Sequence, residues 1–159
     1  MSIKVQCDAF EDGSPIPVRY SKEGENCSPP LRWGQLPPGT KEVAIICEDP
    51  DAPRAEPFVH WVAYGIPADC HQLPEAIPQK PKADVSDDTK VLQGENGFHD
   101  VGYDGPMPPP GHGVHHYHFR VYALDHPLKF ESHRDEKSLI ASMSGHILDS
   151  GEIVGTYER

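Results

Sequence analysis

The chain is short of positive charge: 14 lysines and arginines stand against 25 aspartates and glutamates, a formal net charge of −11. That balance argues against a nucleic-acid or anionic-membrane surface, because phosphate backbones recruit clustered Lys and Arg. An anionic ligand must then be held by local geometry, since the overall field repels it. No apolar run is long enough to span a bilayer, so no membrane insertion is expected. Cys7, Cys27, Cys47 and Cys70 are spread without CxxC spacing. The opening MSIKVQCDAF has no basic region followed by an apolar stretch. Reduced thiols and a cytoplasmic location are the expectation. GxSxG, P-loop and HExxH motifs are all missing, and helix-patterned sequence is scarce.

What the chain does have is punctuation, 18 prolines and 14 glycines in 159 residues, with no internal repeat. They divide short strand-like segments, which predicts a mainly β fold with residues 1–159 as one domain. Ile3 to Phe10 alternates weakly. Glu42 to Glu48 is a nearly continuous apolar run and reads as an inner strand, as does Phe58 to Ile66. Val114 to Leu124 is the longest candidate. SPPLRWGQLPPGT and KPKADVSDD read as connections, the second a solvated acidic loop. Asp135 is placed to cap a short helix through Ser142, with Leu139, Ile140 and Met143 on one side. HILDS reads as a further helical turn, and IVGTY as a final extended segment.

Alternation sorts the histidines of GPMPPPGHGVHHYHFRV, Gly105 to Val121. His115, Tyr117, Phe119, Val121 and Ala123 share an increasingly apolar face, so His115 and Tyr117 point inward. His116, His118 and Arg120 form a polar ladder toward water. His60 shares a face with Phe58, Val62, Tyr64 and Ile66, where a histidine is usually a core residue satisfied by one hydrogen bond. Asp49 continues the Val43, Ile45, Cys47 face and opens the proline-stiffened DPDAP, an ordinary strand end as well as a place to present an acid. Asp49, His60, His115 and Tyr117 together suit a phosphate-sized anion. A carboxylate beside a histidine fixes its tautomer and favours the protonated ring, and tyrosine adds a neutral donor. Gly105 and Gly113 let backbone approach a ligand, with the Gly105 N–H as a direct donor. No lysine or arginine is assigned to the pocket, so the expected affinity is modest and rises as pH falls. Trp33 and Trp61 read as core anchors, and His71, His99, His126, His133 and His146 as isolated groups.

The motifs DPDAP, HWVAYGIP and GPMPPPGHGVHHYHF, in this order, resemble the phosphatidylethanolamine-binding protein family, and within it the prokaryotic, Raf-kinase-inhibitor-like branch. NCSPPLRW and GHIL…IVGTYER extend the resemblance over nearly the whole chain. The resemblance implies a Greek-key arrangement of two antiparallel sheets with a short C-terminal helical element. It also implies an anion pocket that in relatives takes phosphate, acetate, cacodylate or a phospholipid head group. Carried over residue by residue, the anion-binding set is Asp49, His60, Gly105, Pro106, His115 and Tyr117. His116 stands where the family usually has arginine, which puts an outer ion pair in question but not the pocket. Met107 stands where many prokaryotic relatives have cysteine, so no thiol chemistry is assigned to this loop.

Function therefore reads as non-catalytic small-anion or head-group binding, with signal modulation as a role implied by the family. No catalytic residue and no cofactor are assigned. The alternatives are a regulator of a protein partner such as a kinase or protease, or a phosphate-ester hydrolase using the His/Asp pair. The hydrolase lacks an evident nucleophile. A metal site at His112, His115, His116 and His118 is disfavoured, because adjacent strand residues face opposite ways and HxxHHxH is not a zinc spacing. A homodimer is implied by resemblance alone.

Overall fold

The computed structural model describes residues 3–128 and 135–159. A small antiparallel sheet is built from β1 (Val5–Gln6), β2 (Leu31–Trp33) and β5 (Gln72–Leu73), in the order β1-β2-β5. The large sheet contains β3 (Glu42–Asp49), β4 (Phe58–Pro67), β6 (Lys82–Asp84), β7 (Lys90–Gln93), β8 (His115–Leu124) and β9 (Ile147–Tyr157). Its order is β6-β7-β4-β3-β8-β9, every neighbouring pair antiparallel. Strands β3, β4 and β7 lie side by side in sequence order and β8 returns beside β3, which is a Greek key. The helix α1 (Glu136–Met143) precedes the last strand, and the Asp135 side chain caps it by accepting from Ser138 N at 2.9 Å.

The middle of β3, Val43 to Cys47, is apolar throughout because both faces of the strand are buried there. Val43, Ile45 and Cys47 pack toward the small sheet, with Leu31, Trp33 and Leu73, in the main core. Ala44 and Ile46 pack the other way, with Val62, Tyr64, Leu124, Leu128 and the α1 residues Leu139 and Met143. Trp33 and Trp61 anchor the main core, their ring N–H groups donating to Cys70 O at 3.1 Å and Gln93 Oε1 at 2.9 Å.

Four expectations change. The stretch SPPLRWGQLPPGT contains β2, and KPKADVSDD contains β6, which turns back into β7 as a hairpin. HILDS is not a helical turn, because β9 starts at Ile147 and pairs along the whole of β8. Ile140 is turned away from Leu139 and Met143 and is 49% exposed, lying one helical step off their i, i+4 line. Strict alternation also fails twice along β4. Trp61 pairs with Cys47 while Val59 pairs with Glu48, so His60 is the extra residue of a bulge. His60 and Trp61 consequently both face the small-sheet side, while Val62 and Tyr64 face α1. A second irregularity, at the positive-φ Gly65, returns Ile66 to the main core.

Candidate anion-binding site

A cavity of about 290 Å³ opens where β3, β4 and β8 end together. Its polar wall holds Asp49, His60, His115, Tyr117 and Arg54, and its apolar wall holds Phe58, Phe98, Met107 and three prolines. Asp49 arrives at the end of β3, and its Oδ1 accepts the Asp51 N–H at 2.8 Å, so the DPD turn locks the carboxylate from behind. Its Oδ2 lies 2.6 Å from His115 Nδ1, with both side chains at most 4% exposed. His115 therefore carries a hydrogen on Nδ1 and directs Nε2 away from the carboxylate.

His60 is held differently. Its Nδ1 donates to the Asp104 carbonyl at 2.7 Å, and the Asp104 N–H donates back to the His60 carbonyl at 3.0 Å. Burial pushes this imidazole below its ordinary value, against the opposing help of the Asp104 carbonyl and Asp49. It is a neutral ring whose remaining Nε2 is an acceptor. Burial first, and the neighbouring Asp49 second, push the Tyr117 phenol well up, so it remains a protonated donor. The His60 ring meets Phe58, Phe98 and Tyr117 edge-on, with centroids 5.2, 5.7 and 5.1 Å away. The Arg54 guanidinium lies 5.6 Å from the Phe58 centroid. The polar wall thus combines a histidine that donates to Asp49, a neutral acceptor, a phenol and a cation.

The family model described as phosphatidylethanolamine-binding protein matches residues 6–158. The chain belongs to the phosphatidylethanolamine-binding protein family. A UPF0098 protein of Pyrococcus horikoshii is 44% identical over 159 residues, covering 100% of this chain and 78% of that protein. A crystal structure described as a phosphatidylethanolamine-binding protein homologue of Chlamydia trachomatis superposes with a TM-score of 0.86 at 34% identity, covering 99% and 98% of the two chains. Escherichia coli YbcL, described as a new member of the mammalian family, gives 0.89 at 29% identity, covering 100% and 99%.

Within this family frame, Gly105 and Pro106 do not line the cavity. The Gly105 N–H donates to Asn26 Oδ1 at 2.7 Å, and a Cβ there would lie 2.0 Å from the Tyr20 carbonyl oxygen. Only glycine lets the two backbones pass, so Gly105 supports the wall from behind. Pro106 is buried and accepts the Lys22 N–H at 3.0 Å. Beneath them the Asp104 carboxylate gathers Asn26 at 2.8 Å and Asn96 at 2.9 Å. This support joins Asn26 in NCSPP to Asn96 and Asp104, residues far apart in sequence with no shared motif. Gly113 takes φ +103, and a Cβ there meets nothing within 4 Å.

His116 faces outward as alternation requires, and Asp51 Oδ2 accepts both its N–H and its Nδ1–H at 2.8 Å. Partial burial would raise Asp51, but these bonds from His116 outweigh it and hold the carboxyl below its ordinary range. An outer, hydrogen-bonded Asp51–His116 pair thus exists without an arginine. Among the described residues, no group of three or more His, Cys, Asp or Glu is arranged to hold a metal ion. His118 pairs instead with Glu152 at 3.3 Å, a contact on the outer face. The expectation of a pocket without Lys or Arg is corrected by Arg54. DPDAPR carried the signal, since a turn that returns the chain to β4 brings its last residue back over the strand ends. His99 and His146 pair with Glu95 at 3.0 Å and Asp125 at 2.9 Å, and His126 stacks on His146. His133 lies outside the described residues.

Proposed function

We propose that the chain is a binding protein for a small oxyanion, inorganic phosphate or the phosphate of an organic head group, seated against Asp49, His60, His115, Tyr117 and Arg54. The observation that carries this reading is the buried Asp49–His115 pair at 2.6 Å on the wall of a cavity that also presents Arg54. Asp49 turns the His115 ring so that Nε2 faces away from the carboxylate, the position from which it would donate to an anion, and Arg54 adds a cation. Tyr117 donates without charge. The His60 acceptor needs a hydrogen from the ligand, so the site favours an oxyanion that keeps a proton, such as hydrogen phosphate or a phosphate monoester monoanion. The apolar wall of Phe58, Phe98 and Met107 suits an organic substituent on that phosphate. Among the described residues no Ser, Thr or Cys lines the cavity, and the buried Cys47 thiol is pushed well up by burial, which supports binding over nucleophilic hydrolysis. Gly105 and Pro106 belong to the site as its backbone support.

Calorimetric titration with phosphate and phosphoethanolamine at pH 6 and pH 8 tests the reading. Binding is expected at both and tighter at pH 6, and it is expected to vanish in His115→Ala. Absence of binding at both pH values would turn the reading toward a protein-partner regulator. Met107 and Val114, 39% and 48% exposed on the loop beside the cavity, favour that second role.

A further inference from the structure

The hydrogen bonds around His115 leave neither ring nitrogen open. Nδ1 faces Asp49 Oδ2, and Nε2 lies 2.6 Å from His112 Nδ1, the two rings tilted with centroids 4.8 Å apart. Two ring nitrogens at that distance have room for one hydrogen between them. His115 Nδ1 faces a carboxylate and carries its own hydrogen, so in the neutral ring Nε2 is a lone pair and His112 Nδ1–H is the donor. In this arrangement His115 has nothing to give an anion.

His112 is exposed and stands between two glycines, Gly111 at φ +74 and Gly113 at φ +103, where a Cβ would meet nothing within 4 Å. The loop before it is tied down: the Gly111 N–H donates to Arg159 O at 3.1 Å, and Arg159 Nε donates to Pro108 O at 2.6 Å. The His112 N–H donates to Pro109 O at 3.2 Å, so its backbone stays with the loop and its exposed ring leaves His115 by side-chain rotation alone.

We propose that His112 is a built-in stopper of the anion pocket: its imidazole holds the hydrogen-bonding position on His115 Nε2 that an oxyanion needs, so the two exclude one another. This rests on the oxyanion reading above and adds a residue and a coupling to it. An arriving anion displaces the His112 ring and takes its place facing His115 Nε2. The charged and titratable groups around this position are Asp49, Arg54, His60 and Tyr117 on the cavity wall and Asp51 behind the turn. Binding therefore competes with a contact inside the protein.

The test compares wild type, His112→Ala and His115→Ala with inorganic phosphate and with sulfate, whose own charge stays constant between pH 5 and pH 8. His112→Ala is expected to bind phosphate about fivefold to tenfold more tightly, the worth of one hydrogen bond removed from the competing state, and to keep the tightening toward low pH. Histidine ring ¹⁵N spectra give a second readout. Saturating phosphate is expected to move the His112 ring signals to those of a solvated imidazole. Equal or weaker binding in His112→Ala, with wild-type binding intact, overturns the stopper and leaves the oxyanion reading standing. Unmoved His112 signals at saturation overturn it likewise. Absence of binding in both wild type and His112→Ala removes the oxyanion reading and the stopper together.

Discussion

The DPD turn makes two aspartate–histidine pairs, one on each side of β8, and they differ in almost nothing but water. Asp49 meets His115 at 2.6 Å with the side chains 4% and 2% exposed, whereas Asp51 meets His116 at 2.8 Å with 41% and 49% exposed. Both spacings, Asp49 to Asp51 and His115 to His116, are local. The pleat sends neighbouring histidines to opposite faces, and the turn sends its carboxylates after them. Inside, a charge is costly unless paired, so the pair fixes tautomer and geometry. Outside, solvent screens the same contact and it supports only the local backbone. The chemistry of a motif is therefore set by the face it lands on.

The largest expected difference follows from cutting each pair. Asp49→Ala leaves the His115 Nδ1–H and the Asp51 N–H without their acceptor, and is expected to cost about 3 kcal/mol of stability by urea unfolding. Phosphate binding should be lost with it. Retention of both stability and binding would mean that burial does not separate the two pairs. His115→Ala removes the donor while leaving the carboxylate, and is expected to weaken phosphate binding at least about 100-fold by calorimetry.

A third arm sharpens the inside member. His60 is kept neutral by burial and donates its Nδ1–H to Asp104, so its Nε2 accepts. Hydrogen phosphate can supply that hydrogen and sulfate cannot. Phosphate is expected to bind about tenfold more tightly than sulfate at pH 6, because an unmatched buried acceptor costs about 1–3 kcal/mol. Equal affinity for the two would remove His60 from the recognition of the ligand's proton.

How far the sequence reached can be read from the same residues. The faces of β8 were legible because ten residues alternate without interruption, and the β3 face led correctly to Asp49. The side of His60 was not, because a bulge inserts a residue that no local pattern marks. Strands of two to four residues, such as β2 and β6, are too short to alternate and are held by their partners. Arg54 and Phe98 reach the cavity from turns, where position depends on where the chain comes back. In the sequence His112 reads only as a candidate metal ligand, and its contact with His115 depends on how the loop folds over the strand end.

A smaller effect concerns an outer pair with no histidine at all. On the α1 side, Glu136 is pushed up to about 8, first by burial and then by Glu48 beside it. In the folded chain it keeps a proton that an ordinary glutamate sheds near 4.5, so its contribution to stability is full below that pH and is lost as pH rises toward about 8. Glu136→Gln should flatten this loss. It is expected to gain about 1 kcal/mol over wild type at pH 8 and little at pH 5, the figure being discounted for partial exposure. Parallel pH profiles for the two proteins would show that this carboxyl is solvated like Asp51.

The smallest effect is the one that the comparison most needs. Asp51→Asn keeps an acceptor oxygen for the His116 N–H at 2.8 Å and removes only the charge from the exposed pair. Screened by water and salt, that charge is worth at most about 0.5 kcal/mol, and phosphate affinity should change by less than about twofold. His116→Arg changes only the outer partner of Asp51 and should also leave binding unchanged, because the side chain stands on the outer face. A tenfold loss of affinity in either variant would mean that the outer pair positions the DPD turn, and through the Asp51 N–H bond to Asp49 Oδ1 also the inner carboxylate. The two pairs would then be one device that reads the pocket through its own backbone, and burial would no longer be the property that separates them.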